Sequence, residues 1–177
     1  MKAKELLERY QKQELDFAEV HLHSANLNRA NLTRIDFARA DLSHADLMNT
    51  DLSGACLKQA NLTNADLSRA NLVGANLTEI NLIGADLVGA DLSGANLSGA
   101  DLRCANLRQA NLSNANLTDV DLNGADLTDA DLTNAKLAGT DITVADTTRA
   151  RIDKASLNKG IRTHSETSHH WVSWSGN

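Results

Sequence analysis

The sequence predicts an all-β solenoid, and three observations on a single five-residue period lead to this prediction. Every fifth position from Phe17 to Leu157 belongs to one apolar row, in which Leu occurs in 24 of 29 cases. The position two residues earlier is Ala in 22 of 29 cases. The position between them is Asn or Asp in 24 of 29 cases, and the register never slips. The repeating unit is therefore Ala-(Asn/Asp)-Leu followed by two further residues.

This period fits neither a helix nor a flat strand. Five residues advance an α-helix by about 500°, so successive Leu residues would lie about 140° apart and form no apolar face. In a strand, Ala and Leu would share a face, but the next pair would point to the opposite face. A turn in every repeat must absorb this reversal, and Asn, Asp, Ser, Thr and Gly are typical turn residues. The chain is therefore predicted to coil with Ala and Leu inside.

The exceptions to the Ala and Leu rows indicate four repeats per coil. Larger or polar residues replace them at positions separated by multiples of 20: Val20, Ile80, Val120 and Thr140; Leu15 and Ile35; Phe17 and Phe37. Residues 20 apart would then stack on one side of a square coil, and only Thr50 fits no such row. The 29 repeats would make about seven coils, and the rod would be about 34 Å long at about 4.8 Å per coil.

The tandem A(N/D)LXX units, which cover residues 15–157, resemble those of the pentapeptide-repeat family. The resemblance implies a right-handed quadrilateral parallel β-helix, in which Leu is the central inward residue and Ala the small inward one. The opening LLERYQKQELDFAEVHLHSANL resembles the N-terminal cap of cyanobacterial members, where a short helix leads into a first repeat that carries Phe. The functions of the family are diverse, so the resemblance implies a fold more than a task.

The N-terminal segment is predicted to cap the solenoid. The ends of a solenoid expose strand edges that recruit other chains unless they are covered. A helix over residues 2–13 would place Leu6, Leu7 and Tyr10 on one side. We expect this short α-helix to lie over the first coil near Leu15.

The chain divides into three predicted parts: a helical cap over residues 1–14, the β-helix over residues 15–159 and a C-terminal tail over residues 160–177. The tail is rich in Ser, Thr and His, and one interpretation is a disordered terminus. In the alternative interpretation, Trp171 and Trp174 fold back over the last coil as a cap or contact a second molecule.

The last position of the unit is the predicted corner of the coil. Eight of the ten Gly residues occupy it, and Gly permits the positive φ of a type II turn. Because Arg29, Arg34 and Glu79 occupy the same position, we expect mixed turn types, with a uniform type II stretch over residues 81–100. The β-branched Val144 should lie in a different turn.

Composition and charge argue against several classes of protein. The formal net charge of −6 argues against general binding to nucleic-acid phosphates. The two cysteines, Cys56 and Cys104, form no disulfide framework. No segment resembles a signal peptide or is long enough to span a membrane, so a cytoplasmic protein is the expectation.

A row of acidic residues is the candidate interaction surface of the coil. With four repeats per coil it contains Asp46, Asp66, Asp86, Asp126 and Asp146, with Asn106 in the gap. Neighbours about 5 Å apart should raise one another's pKa values, and the same holds for a second row of Asp101, Asp121 and Asp141. An anionic docking surface is one interpretation. In the other, these side chains only hydrogen-bond the local backbone. Trp171 and Trp174 complete the candidate surface.

No set of residues indicates catalysis. His21, His23 and His44 occur early, three further His residues occur in the tail, and we expect none of them to assemble. No catalytic residue, metal ligand or cofactor is therefore predicted. A solenoid filled with Leu also leaves no internal cavity for a substrate.

The sequence favours a non-catalytic scaffold that binds an unknown protein partner, as a monomer or an end-to-end dimer, without direct nucleic-acid or membrane binding. The alternative is a DNA mimic that inhibits or protects DNA gyrase, which the family resemblance implies and the acidic row motivates. An enzyme is a third alternative, which the lack of a pocket disfavours.

Overall fold

The computed structural model describes residues 1–153 of the 177-residue chain. Helix α1 spans Ala3–Tyr10, and a 3-10 turn spans Ile142–Val144. Between them the regular pairing consists of single parallel bridge residues, and no strand in this described part is longer than that. The tail lies outside the described residues, and the predicted bounds of the three parts stay a prediction.

Residues 20 apart pair along the coil, with one gap between Asp121 and Asp141. Asp16 bridges Asp36, and the same parallel pairing recurs along the chain until Asp131 bridges Arg151. The predicted register of four repeats per coil is therefore confirmed. One repeat forms each of the four sides of a coil. The repeats on the same side of successive coils stack in a row.

Backbone hydrogen bonds join each coil to the coil before it and the coil after it. The Leu87 N–H donates forward to the Asn106 carbonyl at 2.7 Å, and the Asp86 N–H donates back to the Ala65 carbonyl at 2.9 Å. The corner residue adds a third bond, from the Gly89 N–H to the next coil. Stability is therefore a sum of contacts between neighbouring coils, as in other solenoids.

The interior is built from the Leu and Ala rows. Every Leu of the inward row from Leu22 to Leu137 is buried, as are the Ala residues of the small inward row from Ala40 to Ala135. Burying one Leu side chain stabilises the fold by roughly 1.5–3 kcal/mol. Thr50 replaces an inward Ala and is fully buried, and its hydroxyl donates to the Leu27 carbonyl at 2.8 Å, so the buried polar group is satisfied.

Helix α1 lies over the first coil. Leu6 is completely buried, and Leu7 and Tyr10 are packed against the core. The Tyr10 hydroxyl donates to the Thr33 carbonyl at 3.0 Å. The predicted helix and its inward side are therefore confirmed. The helix also covers part of the strand edge that the first coil would otherwise expose.

The predicted inward position of Leu15 is wrong, because this side chain is 43% exposed. Leu15 precedes Asp16, the first residue to form a bridge, so no earlier coil packs beside it. Only its carbonyl joins the coil, by accepting the Asp36 N–H at 2.8 Å.

Apart from the corner at Val144, the described corners of the coil share one positive-φ conformation, so the predicted uniform stretch over residues 81–100 is confirmed and the mixture expected elsewhere is confined to Val144. Arg29, Arg34 and Glu79 have φ values of 59°, 59° and 56°, close to the 64° of Gly89. The residue that follows each of these corners closes the turn, as when the Ala30 N–H donates to the Leu27 carbonyl at 3.0 Å. Positive φ at the third turn residue with this bond is the type II pattern. The ladder hydrogen bond of each corner offsets the cost of a positive φ in a residue other than Gly.

The regular bonding pattern changes around Val144. The Val120 N–H donates to the Thr140 hydroxyl at 2.9 Å instead of to the Leu117 carbonyl, and the same hydroxyl donates to that carbonyl. The Gly124 N–H pairs with the Val144 carbonyl, which lies one position further along the chain than the usual corner partner. The 3-10 turn at Val144 causes this shift, because a β-branched residue avoids positive φ. The prediction that Val144 lies in a different turn is confirmed.

Candidate interaction surface

The Asn and Asp side chains of the repeats accept hydrogen bonds from the backbone N–H groups of the corners that follow them. Asp66 Oδ1 accepts the Ser68 N–H at 2.9 Å, and Asn61 Oδ1 accepts the Thr63 N–H at 3.1 Å. Every Asn and Asp at this position from Asp16 to Asp146 accepts the N–H two residues on. Asn makes this bond as well as Asp. The bond therefore explains why the position is Asn or Asp, but it does not explain why a given coil has the charged Asp.

The predicted acidic row is one continuous stack. Parallel bridges join its members in order: Asp46 to Asp66, Asp66 to Asp86, Asp86 to Asn106, Asn106 to Asp126, and Asp126 to Asp146. Asp146 is exposed and the other members are half-buried. Trp171 and Trp174, the remaining predicted members of the surface, lie outside the described residues.

Arginines near its C-terminal end divide the row into two parts. Arg108 Nη1 lies 3.7 Å from Asp126 Oδ2, so this carboxylate has a cationic partner. No ion pair in the described part of the chain involves Asp46, Asp66 or Asp86. We call these three residues the central acidic stripe.

The predicted upward pKa shifts are wrong at Asp146 and Asp101. The Thr148 hydroxyl and N–H hold the pKa of Asp146 below its ordinary value, with help from the positive charges of Arg108 and Arg149. The Arg103 guanidinium, which donates at 2.9 Å, lowers the pKa of Asp101. Hydrogen bonds to the charged carboxylate favour ionisation, and at both residues they outweigh the opposing effect of burial.

On the next side of the coil, acidic residues do not stack on one another. There Asn and Asp alternate from coil to coil from Asn31 to Asp131, and two of the Asn amides donate to a carboxylate. Asn71 Nδ2 donates to Asp51 Oδ1 at 3.1 Å, and Asn111 Nδ2 donates to Asp91 Oδ1 at 3.1 Å. Opposed like charges destabilise paired strands, whereas such amide–carboxylate pairs stabilise them. In the central acidic stripe only Asp46 has such a partner, because Asn28 Nδ2 donates to its two oxygens at 3.1 and 3.3 Å, whereas carboxylates stack on carboxylates at Asp66 and Asp86.

Half-buried side chains flank the central acidic stripe. Met48, Ser68 and Val88 each follow the inward Leu of the same three coils. Their positions in the sequence do not mark them as functional, because a residue two positions after Asp looks like an ordinary corner residue. Stacking of the coils brings them into one row beside the carboxylates. The surface thus combines a line of negative charge with partly apolar groups.

Two histidines come together, contrary to prediction. The rings of His23 and His44 have centroids 5.2 Å apart and an interplanar angle of 70°. His23 Nδ1 lies 2.8 Å from Ser43 Oγ, and the Ser43 hydroxyl donates to Asp41 Oδ1 at 2.6 Å. The register could have revealed this cluster, since His23 stacks on Ser43 and His44 is the next residue.

The His23, Ser43 and Asp41 cluster is not arranged as a hydrolytic triad. In a triad the serine hydroxyl donates to the histidine and the carboxylate orients the opposite ring nitrogen. Here Ser43 donates directly to Asp41, so its proton is not offered to His23. The arrangement does not activate a nucleophile.

Other features of the described residues bear on function. Cys56 and Cys104 are both free, as expected. A cleft of about 690 Å³ lies between α1 and the first coil, outside the solenoid, and Leu7, Tyr10 and Asn28 contribute to its lining. Within residues 1–153, no helix is both long and apolar enough to cross a membrane.

A coil of four five-residue repeats, joined to its neighbours by parallel bridges and filled by Leu and Ala, defines a parallel β-helix repeat protein. The sequence profile described as "Pentapeptide repeats" matches in eight copies, over ranges that together run from residue 16 to residue 159. The chain belongs to the pentapeptide-repeat family, whose members are right-handed β-helices.

Solved structures similar to the chain include cyanobacterial pentapeptide-repeat proteins. Rfr23 from Cyanothece 51142 is 30% identical, with 72% of this chain and 98% of that chain covered and a TM-score of 0.64. HetL from Nostoc sp. PCC 7120, involved in heterocyst differentiation regulation, is 30% identical, with 85% and 92% covered and a TM-score of 0.23. The protein alr5209 from Nostoc PCC 7120 is 34% identical, with 82% and 94% covered and a TM-score of 0.32. No curated protein sequence matches the chain.

Proposed function

We propose that this chain is a non-catalytic scaffold whose protein partner docks on the side of the coil that carries the central acidic stripe. The observation that supports the proposal is the stacking of Asp46, Asp66 and Asp86 without a cationic partner in the described residues. The adjacent side, with its alternating Asn and Asp, has the same backbone and avoids such stacking. Asn28 compensates Asp46 in part, but the stacked Asp66 and Asp86 have no amide or cationic partner in the described residues, and a feature that opposes stability is a candidate for function.

The chemistry of the stripe favours a basic partner surface. Three carboxylates in a line attract a complementary positive patch and accelerate its approach. Half-buried Met48 and Val88 beside them would contact the apolar parts of Lys or Arg side chains. The family is generally one of structural or binding proteins rather than enzymes, which agrees with a scaffold. A cytoplasmic location stays a prediction.

The N-terminal end of the coil is covered by the chain itself. Helix α1 occupies the N-terminal end, where the Met1 ammonium group donates to the His21 carbonyl at 3.0 Å and Tyr10 bonds Thr33. If the chain forms an end-to-end dimer, we expect the C-terminal ends to meet. A chain that stays monomeric at high concentration in sedimentation analysis would contradict a dimer.

The docking surface is tested by affinity capture from the native host, with the bound proteins quantified. The test variant carries Asp46→Asn, Asp66→Asn and Asp86→Asn, which keep the corner bonds that Asn makes elsewhere. The matched control carries Asp36→Asn, Asp51→Asn and Asp91→Asn, which remove the same charge from other sides of the coil. We expect the test variant to lose a partner that the control retains. The same partners on both variants would exclude the stripe.

The tail requires its own variant, because Trp171 and Trp174 belong to the candidate surface. A full-length chain with Trp171→Ala and Trp174→Ala is compared in the same capture experiment. If both residues join the surface, this variant loses the same partner as the stripe variant. Retention of that partner would confine the interaction to the coil.

The alternative function, inhibition or protection of DNA gyrase by DNA mimicry, is motivated by the same stack of carboxylates. DNA carries about one charge per 1.7 Å of helix axis, whereas the stripe offers one carboxylate per coil, about every 4.8 Å. The charge density therefore favours a protein partner of modest basic character. A supercoiling assay with purified gyrase, with and without a quinolone, decides the matter. Inhibition or protection at micromolar chain concentration would support the alternative.

A further inference from the structure

We propose that His23 and His44 form a binding site for a divalent transition-metal ion, with Cu²⁺ bound more tightly than Ni²⁺ or Zn²⁺. The two residues lie in neighbouring coils, on the side opposite the alternating Asn and Asp row, and both side chains are exposed. The inference is independent of the proposed scaffold function, because neither residue belongs to the central acidic stripe.

The separation of the two rings fits a shared ion. A metal bound to an imidazole lies about 2.0–2.1 Å from the nitrogen, so two rings at angles between square and tetrahedral have centroids about 4.5–5.2 Å apart. The His23 and His44 centroids are 5.2 Å apart. No hydrogen bond in the described residues holds the His44 ring, so it can rotate to direct a nitrogen toward the ion.

The neighbours of His23 prepare one of its nitrogens for a metal. Asp41 Oδ1 accepts both the Ser43 N–H, at 3.1 Å, and the only hydroxyl proton of Ser43, at 2.6 Å. The Ser43 oxygen is then left to accept from His23 Nδ1, 2.8 Å away. Nδ1 of His23 is therefore occupied by Ser43, and Nε2 is the nitrogen that can bind a metal. Metal-binding histidines are commonly oriented by such a chain that ends on a carboxylate.

The number of ligands determines which ion fits. No three His, Cys, Asp or Glu side chains converge as a metal site within residues 1–153, so His23 and His44 would be joined by water molecules. Imidazole suits Cu²⁺, Ni²⁺ and Zn²⁺, and affinity follows the order in which Cu²⁺ is highest. Mg²⁺ and Ca²⁺ prefer oxygen ligands and are not expected to bind.

The site is tested by isothermal titration calorimetry of the full chain with CuCl₂, NiCl₂, ZnCl₂ and MgCl₂ near pH 7.5. His164, His169 and His170 are first replaced by Asn, so that histidines of the tail do not contribute. We expect one Cu²⁺ per chain at micromolar affinity, weaker Ni²⁺ and Zn²⁺ and no Mg²⁺. Electron paramagnetic resonance of the Cu²⁺ complex should show coordination by imidazole nitrogen. Absence of Cu²⁺ binding in this chain would overturn the proposal.

Three variants in the same background assign the ligands. His44→Asn suits the corner, whose φ is 57°, because Asn tolerates this conformation. His23→Asn removes the other ring, and we expect each variant to weaken Cu²⁺ binding at least tenfold. His21→Asn is the matched control and should bind as before, since Asn is common at its position. If all three variants weakened Cu²⁺ binding equally, or if none of them weakened it, the assignment of the ligands would be overturned.

A fourth variant tests the orientation of His23. Ser43→Ala removes the hydroxyl that accepts from Nδ1, and loss of such an outer partner typically weakens metal binding about 10- to 100-fold. Circular dichroism of each variant without metal confirms that the coil is intact. Unchanged Cu²⁺ affinity in Ser43→Ala would overturn the role of the Asp41 and Ser43 chain.

Discussion

The hydroxyl of Thr140 accepts the Val120 N–H at 2.9 Å and so replaces the carbonyl that would normally close this turn. The same hydroxyl donates to the displaced carbonyl, that of Leu117. One buried side chain thus holds together two backbone groups of the preceding coil. This insertion lies close to the altered corner at Val144, where the 3-10 turn replaces a type II turn.

Thr140→Val should destabilise the protein by about 1–3 kcal/mol, because it leaves a buried donor and a buried acceptor without their partner. Thr50→Val is the matched control. The Leu27 carbonyl that Thr50 bonds also accepts the Ala30 N–H, so its loss should cost less, about 0.5–1 kcal/mol. Urea denaturation of both variants measures the difference. An equal cost at the two sites would contradict the inserted role of Thr140.

Asp66→Asn should stabilise the protein by about 0.2–1 kcal/mol. The new amide would donate to Asp46 as Asn71 donates to Asp51 at 3.1 Å, and one charge of the stripe would disappear. The reverse change on the adjacent side, Asn71→Asp, should destabilise by a similar amount. Urea denaturation at low and high salt measures both effects, and the charge contribution should shrink at high salt. A loss of stability in Asp66→Asn would show that the stacked carboxylates do not oppose folding.

Gly139→Ala should destabilise the protein more than Gly94→Ala, although both residues have positive φ, 74° and 65°. A Cβ at residue 94 meets no atom within 4 Å, so only the backbone conformation costs energy, roughly 1 kcal/mol. A Cβ at residue 139 would overlap Asp119 Oδ1 and force that side chain to move. We expect a total of about 2 kcal/mol or more there. Thermal denaturation of the two variants provides the comparison, and equal melting temperatures would contradict the clash.

Acid should destabilise the fold through carboxylates whose folded pKa is lowered. The pKa of Asp41 is lowered first by the Ser43 hydroxyl and then by the Ser43 N–H, and Thr133 acts likewise on Asp131. A group with a lowered folded pKa stabilises the protein above its unfolded pKa, about 3.9, and this contribution is lost as the pH falls through the folded value. Stability should therefore decline below about pH 4.

The variant Asp41→Asn tests this pH dependence, because Asn still accepts the Ser43 N–H but does not titrate. Urea midpoints are measured at pH 5 and pH 3 for the variant and the wild-type chain. We expect a smaller loss of stability on acidification in the variant. An identical loss in both proteins would show that Asp41 contributes nothing to the acid transition.

Much of the fold could be predicted because the five-residue period admits few structures. Leu and Ala two residues apart, with a reversal in every repeat, require a corner in each repeat. Replacements at intervals of 20 then indicate which residues stack, and the pairing of Asp46 with Asp66 follows from that register. The exceptional turn at Val144 was also predictable, since positive φ is costly for a β-branched residue.

The corners were predicted less well. Arg29 and Glu79 were expected to avoid positive φ, because local conformational preference disfavours it in residues other than Gly. In the coil their N–H groups donate to the next coil at 2.9 Å in each case, and this bond outweighs the local cost. The predicted burial of Leu15 is wrong for a different reason. It has the sequence of an inward residue but no earlier coil to pack against.

The sequence by itself determined the solenoid, its inward rows and the column in which each Asp stands, because these follow from the period and from burial of apolar side chains. Only the tertiary structure decided which charges are compensated, since Arg108 reaches Asp126 while no cation in the described part of the chain pairs with Asp66. It also decided that the rings of His23 and His44 meet, although the two residues belong to different coils. Both outcomes depend on side-chain reach between neighbouring coils. A repeat pattern records which residues stack but not which of their side chains touch.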